Sequence, residues 1–344
     1  MPVDPMSGDH EASWLERIPK VELHLHLEGA IPVDALWELV GKYGGDPEVP
    51  SLAALTDRFD YRDFPHFIET WHWKNRFLRE YEDFAFMARR VAEDLAHQNI
   101  RYAEVFFSPP DFERYGLEPQ GLAEEIRRGL DEVDGIRIAL VADLVRDAGP
   151  RRAARMLEAV AEVREYGVIG IGLGGSEHDF PAGPFEEVFA RARHLGFHTS
   201  AHAGEAAGAE SVWSALTDLH VDRIGHATRA IDDPLLVESL SERKTPLELC
   251  PISNVRTGVI PSIAEHPVRA YFNRGMLVSV NTDDPKMFGN SLAEEYAALV
   301  QEHGFTADDI RELLSRTIES TWLSTEEKEE LRVDLMADAA WKAA

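Results

Sequence analysis

The chain has 344 residues, 44% of them hydrophobic, and a formal net charge of −27 at pH 7. This size and apolar content suit one large domain, and α/β barrels often reach it as a single unit. The acidic balance argues against binding nucleic acid through phosphates, which requires a basic surface. We find no apolar run long enough to span a membrane.

Two further features indicate the compartment. The single cysteine, Cys250, excludes an internal disulfide framework and suits a reducing environment. The first 19 residues carry acidic groups and lack an apolar core, unlike a secretory signal. We therefore expect a cytoplasmic protein with no membrane partner and no nucleic-acid partner.

Eight short runs rich in β-branched and aromatic residues, bounded by Gly, Pro, Asp or Asn, predict buried strands. They cover residues 21–27, 100–107, 136–144, 167–175, 197–204, 221–227, 245–251 and 276–282. Helix-like segments lie between most of them. Strand–helix alternation repeated eight times predicts an α/β fold, a single (β/α)8 TIM barrel that spans residues 1–344 as one domain.

Residues 32–98 interrupt this repeat, because the segment is too long for one crossover and predicts several helices. A helical insertion after the first strand would lie at the catalytic face of the barrel. It could form a lid that carries Phe64, Phe67, Trp71 and Trp73. The alternative is ordinary packing of these aromatic rings against the barrel. The chain from Ala307 to Ala344 predicts closing helices.

Histidines and an aspartate at the carboxyl ends of predicted strands form a candidate metal site. His24 and His26 alternate along the first strand and therefore point to the same side. His202 ends the fifth strand and Asp283 follows the eighth, at the end where barrel active sites are built. Three nitrogen ligands and one carboxylate suit zinc.

The lysines bear on the number of metal ions. Barrels with an HxH motif that hold two metals usually bridge them with a carboxylated lysine at the end of the fourth strand. The chain has seven lysines, and all lie away from residues 167–175. We therefore predict one metal ion per chain.

A water activated by a metal needs a proton acceptor and a group that orients it. Glu205 lies three residues beyond His202, and His226 ends the sixth strand. Asp283 and Asp284 are adjacent and point in different directions, so that one can bind metal while the other faces substrate. Each residue alone has an ordinary structural explanation, such as a helix cap or a core histidine. Together, at the ends of four strands, they predict a catalytic site.

The motifs PKVELHLHLEGAI, HAGE, RIGHA, LELCPISN and VNTDDP occur in this order over residues 18–300. In these motifs the chain resembles the adenosine deaminase family of metal-dependent amidohydrolases. The resemblance implies one zinc ion held by four residues, and purine metabolism as the setting. The implied ligands are His24, His26, His202 and Asp283.

The resemblance also implies roles for four other residues. Glu205 would protonate purine N1, and His226 would orient the hydroxide that attacks C6. Asp284 would hydrogen-bond N7. A glycine amide would contact N3. That glycine is Gly175, with Gly174 as the alternative because the glycine is doubled.

Three positions depart from the family pattern. Glu28 stands where adenosine deaminases have an aspartate that contacts the ribose. Ala227 stands where glycine is usual. Arg256 follows the seventh strand, where it could meet a carboxylate or phosphate of the substrate or pair with a surface acid.

Adenosine and 2′-deoxyadenosine are the substrates we expect, deaminated hydrolytically to inosine or its deoxy form. The 32–98 insertion has room for a sugar, and Glu28 could accept a hydrogen bond from a sugar hydroxyl. HLHLEG also occurs in adenine deaminases, and GLGGSE and SNVRT are similar to aminodeoxyfutalosine deaminases. Adenine and aminodeoxyfutalosine are therefore the alternative substrates. A non-catalytic relative or a hydrolase of non-purines is disfavoured, because Glu205 and the paired aspartates are all present. Nothing in the sequence indicates an oligomeric state.

Overall fold

Eight parallel strands follow one another in sheet order β1 to β8, as the sequence predicts. The computed structural model describes residues 14–343. The expectation about a secretory signal falls largely on residues 1–13, which lie outside the described residues. The strands are β1 Lys20–His26, β2 Ile100–Phe107, β3 Arg137–Asp143, β4 Val168–Gly172, β5 His198–Ala203, β6 Arg223–His226, β7 Leu247–Leu249 and β8 Val278–Val280.

The last strand meets the first and nearly closes the barrel. Leu25 and Asp283 form a parallel bridge. The His26 N–H donates to the Asp283 carbonyl over 2.8 Å, and the Asp283 N–H donates to the His24 carbonyl over 3.0 Å. The predicted metal ligands of β1 and of the segment after β8 are thus joined directly through the backbone.

Strands β7 and β8 are shorter than predicted. Each ends two residues before its predicted carboxyl end, and the local backbone explains why. A helix begins at Pro251, directly after Cys250, because proline suits the first helical turn but cannot donate to a sheet. After Val280 the backbone turns out of the sheet and reaches φ +64° at Asp283. The predicted strand ends are therefore loops that present side chains to the barrel mouth.

Four helices fill the segment between β1 and β2, so the predicted helical insertion is confirmed. They are α1 Val33–Lys42, α2 Leu52–Asp57, α3 Phe64–Asn75 and α4 Tyr81–His97. Ser51 caps α2 and Asp63 caps α3, each accepting a backbone N–H of the first turn. A capping box formed by Glu80 and Asp83 begins α4.

The other helices surround the barrel and close its far end. They are α5 Pro119–Leu130, α6 Pro150–Ala161, α7 Glu186–His194, α8 Ala209–Ser214, α9 Pro234–Arg243, α10 Pro251–Arg256, α11 Val268–Asn273, α12 Pro285–Phe288, α13 Leu292–His303, α14 Ala307–Ser320, α15 Thr325–Ala337 and α16 Ala339–Lys342. Over residues 14–343, no helix has the length and apolar character needed to cross a membrane.

Charged side chains form one layer of the barrel interior. Arg223 is buried and lies 2.5 Å from both Glu104 and Glu248. The indole of Trp322 covers its guanidinium at 3.6 Å. A buried cation is tolerated only when it is paired and hydrogen-bonded. Here two carboxylates pair with the guanidinium, and its Nη1 donates to the Ser320 carbonyl over 3.0 Å. Glu248 extends this layer upward to the barrel mouth.

Candidate active site

The four predicted metal ligands converge at the carboxyl end of the barrel. Their ligand atoms all lie within 4.8 Å of one another, and all four residues are buried. His202 Nε2 is 3.1 Å from the Nε2 atoms of His24 and His26. Asp283 Oδ1 is 3.5 Å from His24 Nε2 and 3.4 Å from His26 Nε2. The sequence pattern therefore predicted the members of this cluster.

The donor set fits a tetrahedral cation such as zinc. Zn–N bonds of 2.0–2.1 Å imply ligand atoms about 3.4 Å apart, close to the separations found here. Burial lowers the pKa of His26 to about 4 and that of His202 well below its ordinary value. Neutral imidazoles whose nitrogens face each other repel unless a cation lies between them.

A second possible ligand group shares two members with the first. It consists of His24, His226, Cys250 and Asp283. Burial raises the pKa of the Cys250 thiol well above its ordinary value, and the thiol form is a poor metal ligand. Because both groups use His24 and Asp283, they describe one metal position.

Glu248 supports His24 from behind. Its Oε2 accepts from His24 Nδ1 over 2.8 Å and from Ser200 Oγ over 3.0 Å. Such a carboxylate fixes the tautomer that leaves Nε2 free for metal. On the other side of the cluster, Ser253 Oγ donates to Asp283 Oδ2 over 2.6 Å.

His226 presents an Nε2 atom with no hydrogen-bond partner in the described part of the chain. Thr228 Oγ1 donates to Asn254 Oδ1 over 2.8 Å, which orients the amide so that its nitrogen donates to His226 Nδ1 over 3.2 Å. Burial lowers the pKa of His226 to about 3. The ring is therefore neutral with its hydrogen on Nε2, directed at the cavity.

Glu205 lies beside this ring, with Oε2 3.5 Å from His226 Nε2. Burial, together with the charges of Asp283 and Glu177, raises the pKa of Glu205 well above its ordinary value. The raised pKa favours the protonated carboxyl group, which is the form that can donate a proton. It stands in the turn after β5, as the sequence predicts.

Asp284 is a second carboxyl group with a raised pKa at the cavity wall. Burial and the charge of Asp283 raise its pKa well above the ordinary value, and its Oδ1 has no partner among residues 14–343. A Cβ at Gly29 would lie 1.7 Å from this oxygen. Only glycine at position 29 leaves room for Asp284.

The two candidate glycines differ in what their backbone does. The Gly174 N–H donates to Asp143 Oδ1 over 2.6 Å and is therefore engaged. Gly175 lines the cavity, has φ +98°, and a Cβ there would lie 2.1 Å from Asp147 Oδ2. Of the two, Gly175 is the one placed to offer its backbone to a ligand.

Glu28 occupies a different place from the one its proposed sugar contact requires. It is 1% exposed and lies outside the set of described residues that line the cavity. Its Oε1 accepts from the Ser108 N–H over 2.9 Å, and burial raises its pKa to about 7. The arrangement disfavours direct contact with a sugar hydroxyl, because Glu28 supports the cavity wall from behind.

Within the described residues, Arg256 makes neither of the two contacts expected from the sequence, which were a carboxylate or phosphate of the substrate and a surface acid. Its guanidinium donates to the Phe59 carbonyl over 3.2 Å, so it anchors the helical insertion to α10.

Ala227 adopts φ +52°, a left-handed conformation in which glycine carries no penalty. This conformation accounts for the family preference for glycine at this position.

One cavity of about 270 Å³ joins these groups. Its walls include the three histidines His26, His202 and His226, the acids Glu205, Asp283 and Asp284, and the outer residues Ser108, Asp111, Asp143, Asp147, Arg152 and Ser176. The outer residues were not predicted from the sequence. Their signal was their position, since they end or follow β2, β3 or β4 at the end where barrel active sites form.

The helical insertion forms part of the cavity wall through α3. Phe64, Phe67 and Trp71 line the cavity, and Trp71 Nε1 donates to Asp111 over 2.9 Å. Trp73 faces away, because its indole donates to Asp46 over 2.9 Å. Of the four aromatic residues named from the sequence, three reach the cavity and Trp73 packs elsewhere.

A (β/α)8 barrel with three histidines and one aspartate at the strand ends, beside a glutamate with a raised pKa, is the arrangement typical of metal-dependent hydrolases. The family model described as adenosine deaminase matches residues 19–338. The chain belongs to the adenosine deaminase family and is a hydrolytic deaminase.

Relatives with three different substrates in their names match nearly the whole chain. An aminodeoxyfutalosine deaminase from Streptomyces avermitilis is 33% identical, covering 99% of this chain and 97% of the relative. An adenine deaminase from Crocosphaera subtropica is 32% identical over 93% of this chain and 98% of its own. An adenosine deaminase from Edwardsiella ictaluri is 34% identical, covering 92% of this chain and 97% of the relative.

Solved structures agree with the fold. The adenine deaminase from Arthrobacter aurescens superposes with a TM-score of 0.88 at 28% identity, covering 95% of this chain and all of that one. An amidohydrolase from Burkholderia ambifaria with bound zinc has a TM-score of 0.88 at 28% identity, covering 97% of this chain and 93% of that one. Arabidopsis ADAL complexed with GMP has a TM-score of 0.86 at 26% identity, covering 94% of this chain and 98% of that one.

Proposed function

We propose that this protein removes the C6 amino group of a 6-aminopurine by hydrolysis, with one zinc ion per chain. One observation carries the proposal. A proton donor, Glu205, and an unpartnered histidine, His226, meet a four-ligand metal cluster in a single buried cavity.

The side chains divide the work on the purine ring. Protonated Asp284 donates to N7, and the Gly175 N–H donates to N3. Glu205 gives its proton to N1, which draws electron density away from C6. Proton transfer of this kind typically contributes about 10²–10⁴-fold.

Water then adds at C6, oriented by the Nε2–H of His226. As its oxygen adds, the water releases one proton, which passes to the amino group, and ammonia leaves. The second water proton restores Glu205. The aromatic rings of Phe67 and Trp71 in the cavity wall would limit the access of bulk water during these transfers.

Zinc is the metal we propose at His24, His26, His202 and Asp283. The three-nitrogen, one-oxygen donor set supports this assignment, as does the zinc bound to the Burkholderia ambifaria relative. When bound there, zinc supplies Lewis acidity that lowers the pKa of water toward 7.

The substrate assignment favours the alternative over adenosine. The aminodeoxyfutalosine and adenine deaminases among the relatives support it. The burial of Glu28 outside the cavity lining disfavours the sugar contact expected for adenosine. Asp111, Asp143 and Arg152 line the cavity without a role in holding the base. Because a bare purine would leave the outer part of the cavity, where these groups lie, unfilled, we place aminodeoxyfutalosine first and adenine second.

The architecture and location carry proposals of their own. We propose that residues 1–344 form one domain and that α3, through Trp71 and Asp111, acts as a lid over the bound purine. We also propose a cytoplasmic location. The partner we propose is a small-molecule purine substrate, with no nucleic acid and no membrane.

Ammonia release from the purified protein tests the function. Aminodeoxyfutalosine, adenine, adenosine and AMP are offered separately to the zinc-loaded chain. We expect the largest kcat/KM with aminodeoxyfutalosine. Faster turnover of adenine would reverse the order, and no ammonia from any 6-aminopurine would refute deamination.

A further inference from the structure

Four consecutive backbone N–H groups in the turn after β5 point at a single buried carboxylate. Glu177 Oε1 accepts from Gly204 over 2.6 Å. Its Oε2 accepts from Glu205 over 3.1 Å, from Ala206 over 2.7 Å and from Ala207 over 3.0 Å. Glu177 is 3% exposed.

This carboxylate is not a cap of the following helix. Helix α8 begins at Ala209 and has Gly208 as its N-cap residue. The N–H of Gly208 is met by a different carboxylate, that of Glu210, over 3.2 Å. Glu177 therefore serves the turn itself, which consists of residues 204–207 and contains Glu205.

A buried guanidinium holds the other side of the same stretch. Arg146 donates to the His202 carbonyl over 2.7 Å and to the Leu173 carbonyl over 3.1 Å. An anion thus gathers the N–H groups of the turn, and a cation gathers one carbonyl directly after β4, that of Leu173, and one at the end of β5, that of His202. Loops rarely have their backbone polar groups satisfied by two fully buried opposite charges.

We propose that Glu177 is a positioning residue for the deamination, which holds the turn 204–207 so that the carboxyl group of Glu205 faces the purine ring. This inference rests on the proposed function, in which Glu205 carries the proton. Gly204, at φ +75°, lets the chain bend sharply enough to bring all four N–H groups onto one side chain.

Glu177→Gln tests the inference with a side chain of nearly the same shape. The amide offers one acceptor oxygen, and its NH2 group opposes the remaining N–H donors. Since a displacement of about 1 Å at a reacting group can cost about 10²-fold, we expect kcat to fall about 10- to 100-fold. KM should change by less than about threefold, and the variant should keep one zinc per chain, because a shifted proton donor affects turnover more than binding.

A double-mutant cycle separates positioning from general support of the fold. Adding Glu177→Gln to Glu205→Gln should lower kcat by less than about twofold further, since two changes that remove one function do not add. If the second change lowers kcat by its full single-variant factor, Glu177 acts independently of Glu205 and the inference is overturned.

Glu210→Gln is the matched control. It removes an exposed carboxylate that accepts a neighbouring N–H, and it should leave kcat, KM and Tm unchanged. If Glu177→Gln does not fold, Glu177→Asp takes its place in the same cycle, because its shorter side chain still carries the charge but reaches fewer of the four donors.

The outcomes separate this inference from the proposed function. A wild-type protein without deaminase activity would overturn both. A Glu205→Gln variant with normal turnover would overturn the proposed role of Glu205 and with it this inference, while deamination itself would stand. An active wild type, an inactive Glu205→Gln variant and a fully active Glu177→Gln variant would overturn the positioning role alone.

Discussion

The imidazole of His24 is held from behind by Glu248, with 2.8 Å between Nδ1 and Oε2. Both side chains are fully buried. Glu248 in turn lies 2.5 Å from Arg223, whose charge, with the His24 hydrogen bond, keeps the pKa of the glutamate below its ordinary value. The candidate metal cluster is thus connected to the charged layer inside the barrel.

Glu248→Gln should weaken zinc binding by about 10- to 100-fold, as loss of a carboxylate behind a histidine ligand typically does. Competition with a chromophoric chelator measures the zinc Kd. Ser200→Ala is the control, since it removes a hydrogen bond to the same oxygen but leaves the contact to His24 intact. Equal losses in the two variants would contradict a specific role for Glu248 behind His24.

His202→Ala should remove both zinc and activity. The ligand atom of His202 lies 3.1 Å from two other ligand atoms, and water replaces a missing histidine poorly. Elemental analysis of the wild type should give one zinc per chain and of the variant close to none. Two metal ions per active wild-type chain would refute the one-metal prediction.

Glu205→Gln should keep zinc and substrate binding while kcat falls about 10²–10⁴-fold, the range expected for loss of a proton carrier. The amide has the shape of the carboxyl group but cannot deliver a proton to N1. Zinc content and KM are measured alongside kcat. Near-normal turnover would show that another group protonates the ring.

Stability should depend on pH in a direction set by Glu205. Its pKa is raised in the folded protein, first by burial, so the folded state binds more protons than the unfolded state above the ordinary value of 4.5. Stability contributed by this group is therefore lost as pH rises from about 4.5 toward the raised pKa. The metal-free Glu205→Gln variant should have a higher Tm than the metal-free wild type at pH 8 and an equal Tm near pH 4. A lower Tm of the variant at pH 8 would contradict the raised pKa.

The sequence predicted those parts of the site that depend on strand position. His24, His26, His202 and Asp283 share a strand-end location, and parallel strands bring such ends together. Glu28 shares that location too, yet a single turn of backbone after β1 places it behind the wall. The side-chain direction in such a turn depends on packing that periodicity does not encode.

The charged residues that support the site could not be assigned a role from the sequence, although their positions in the sequence are unusual. Glu248 and Arg223 are charged residues inside predicted buried strands, which requires that each has a partner. Those partners are distant in the chain, since Glu248 lies 224 positions after His24. Glu177 and the turn it holds come from successive βα loops, and only the folded loop reveals the four N–H groups.

Nucleoside 5′-monophosphates should be poor substrates. The outer part of the cavity presents Asp111, Asp143 and Asp147 against one cation, Arg152, which is already paired with Glu113. A phosphate carries about −1.5 to −2 charges at pH 7, and placing like charges together costs several kcal/mol. Arabidopsis ADAL, in contrast, is a relative whose structure holds GMP.

We expect kcat/KM for AMP to be at least about tenfold below that for adenosine, where about 1.4 kcal/mol corresponds to a factor of ten. Asp143→Asn should narrow this ratio, because it removes a charge from the cavity while its amide oxygen can still accept from Gly174. Asp134→Asn is the matched control, since it removes the same charge from an exposed position that precedes β3 at the opposite end of the barrel. The ratio is measured for the three proteins at low and moderate ionic strength. A ratio near one in the wild type, or an equal change in both variants, would show that the outer carboxylates do not select against phosphate.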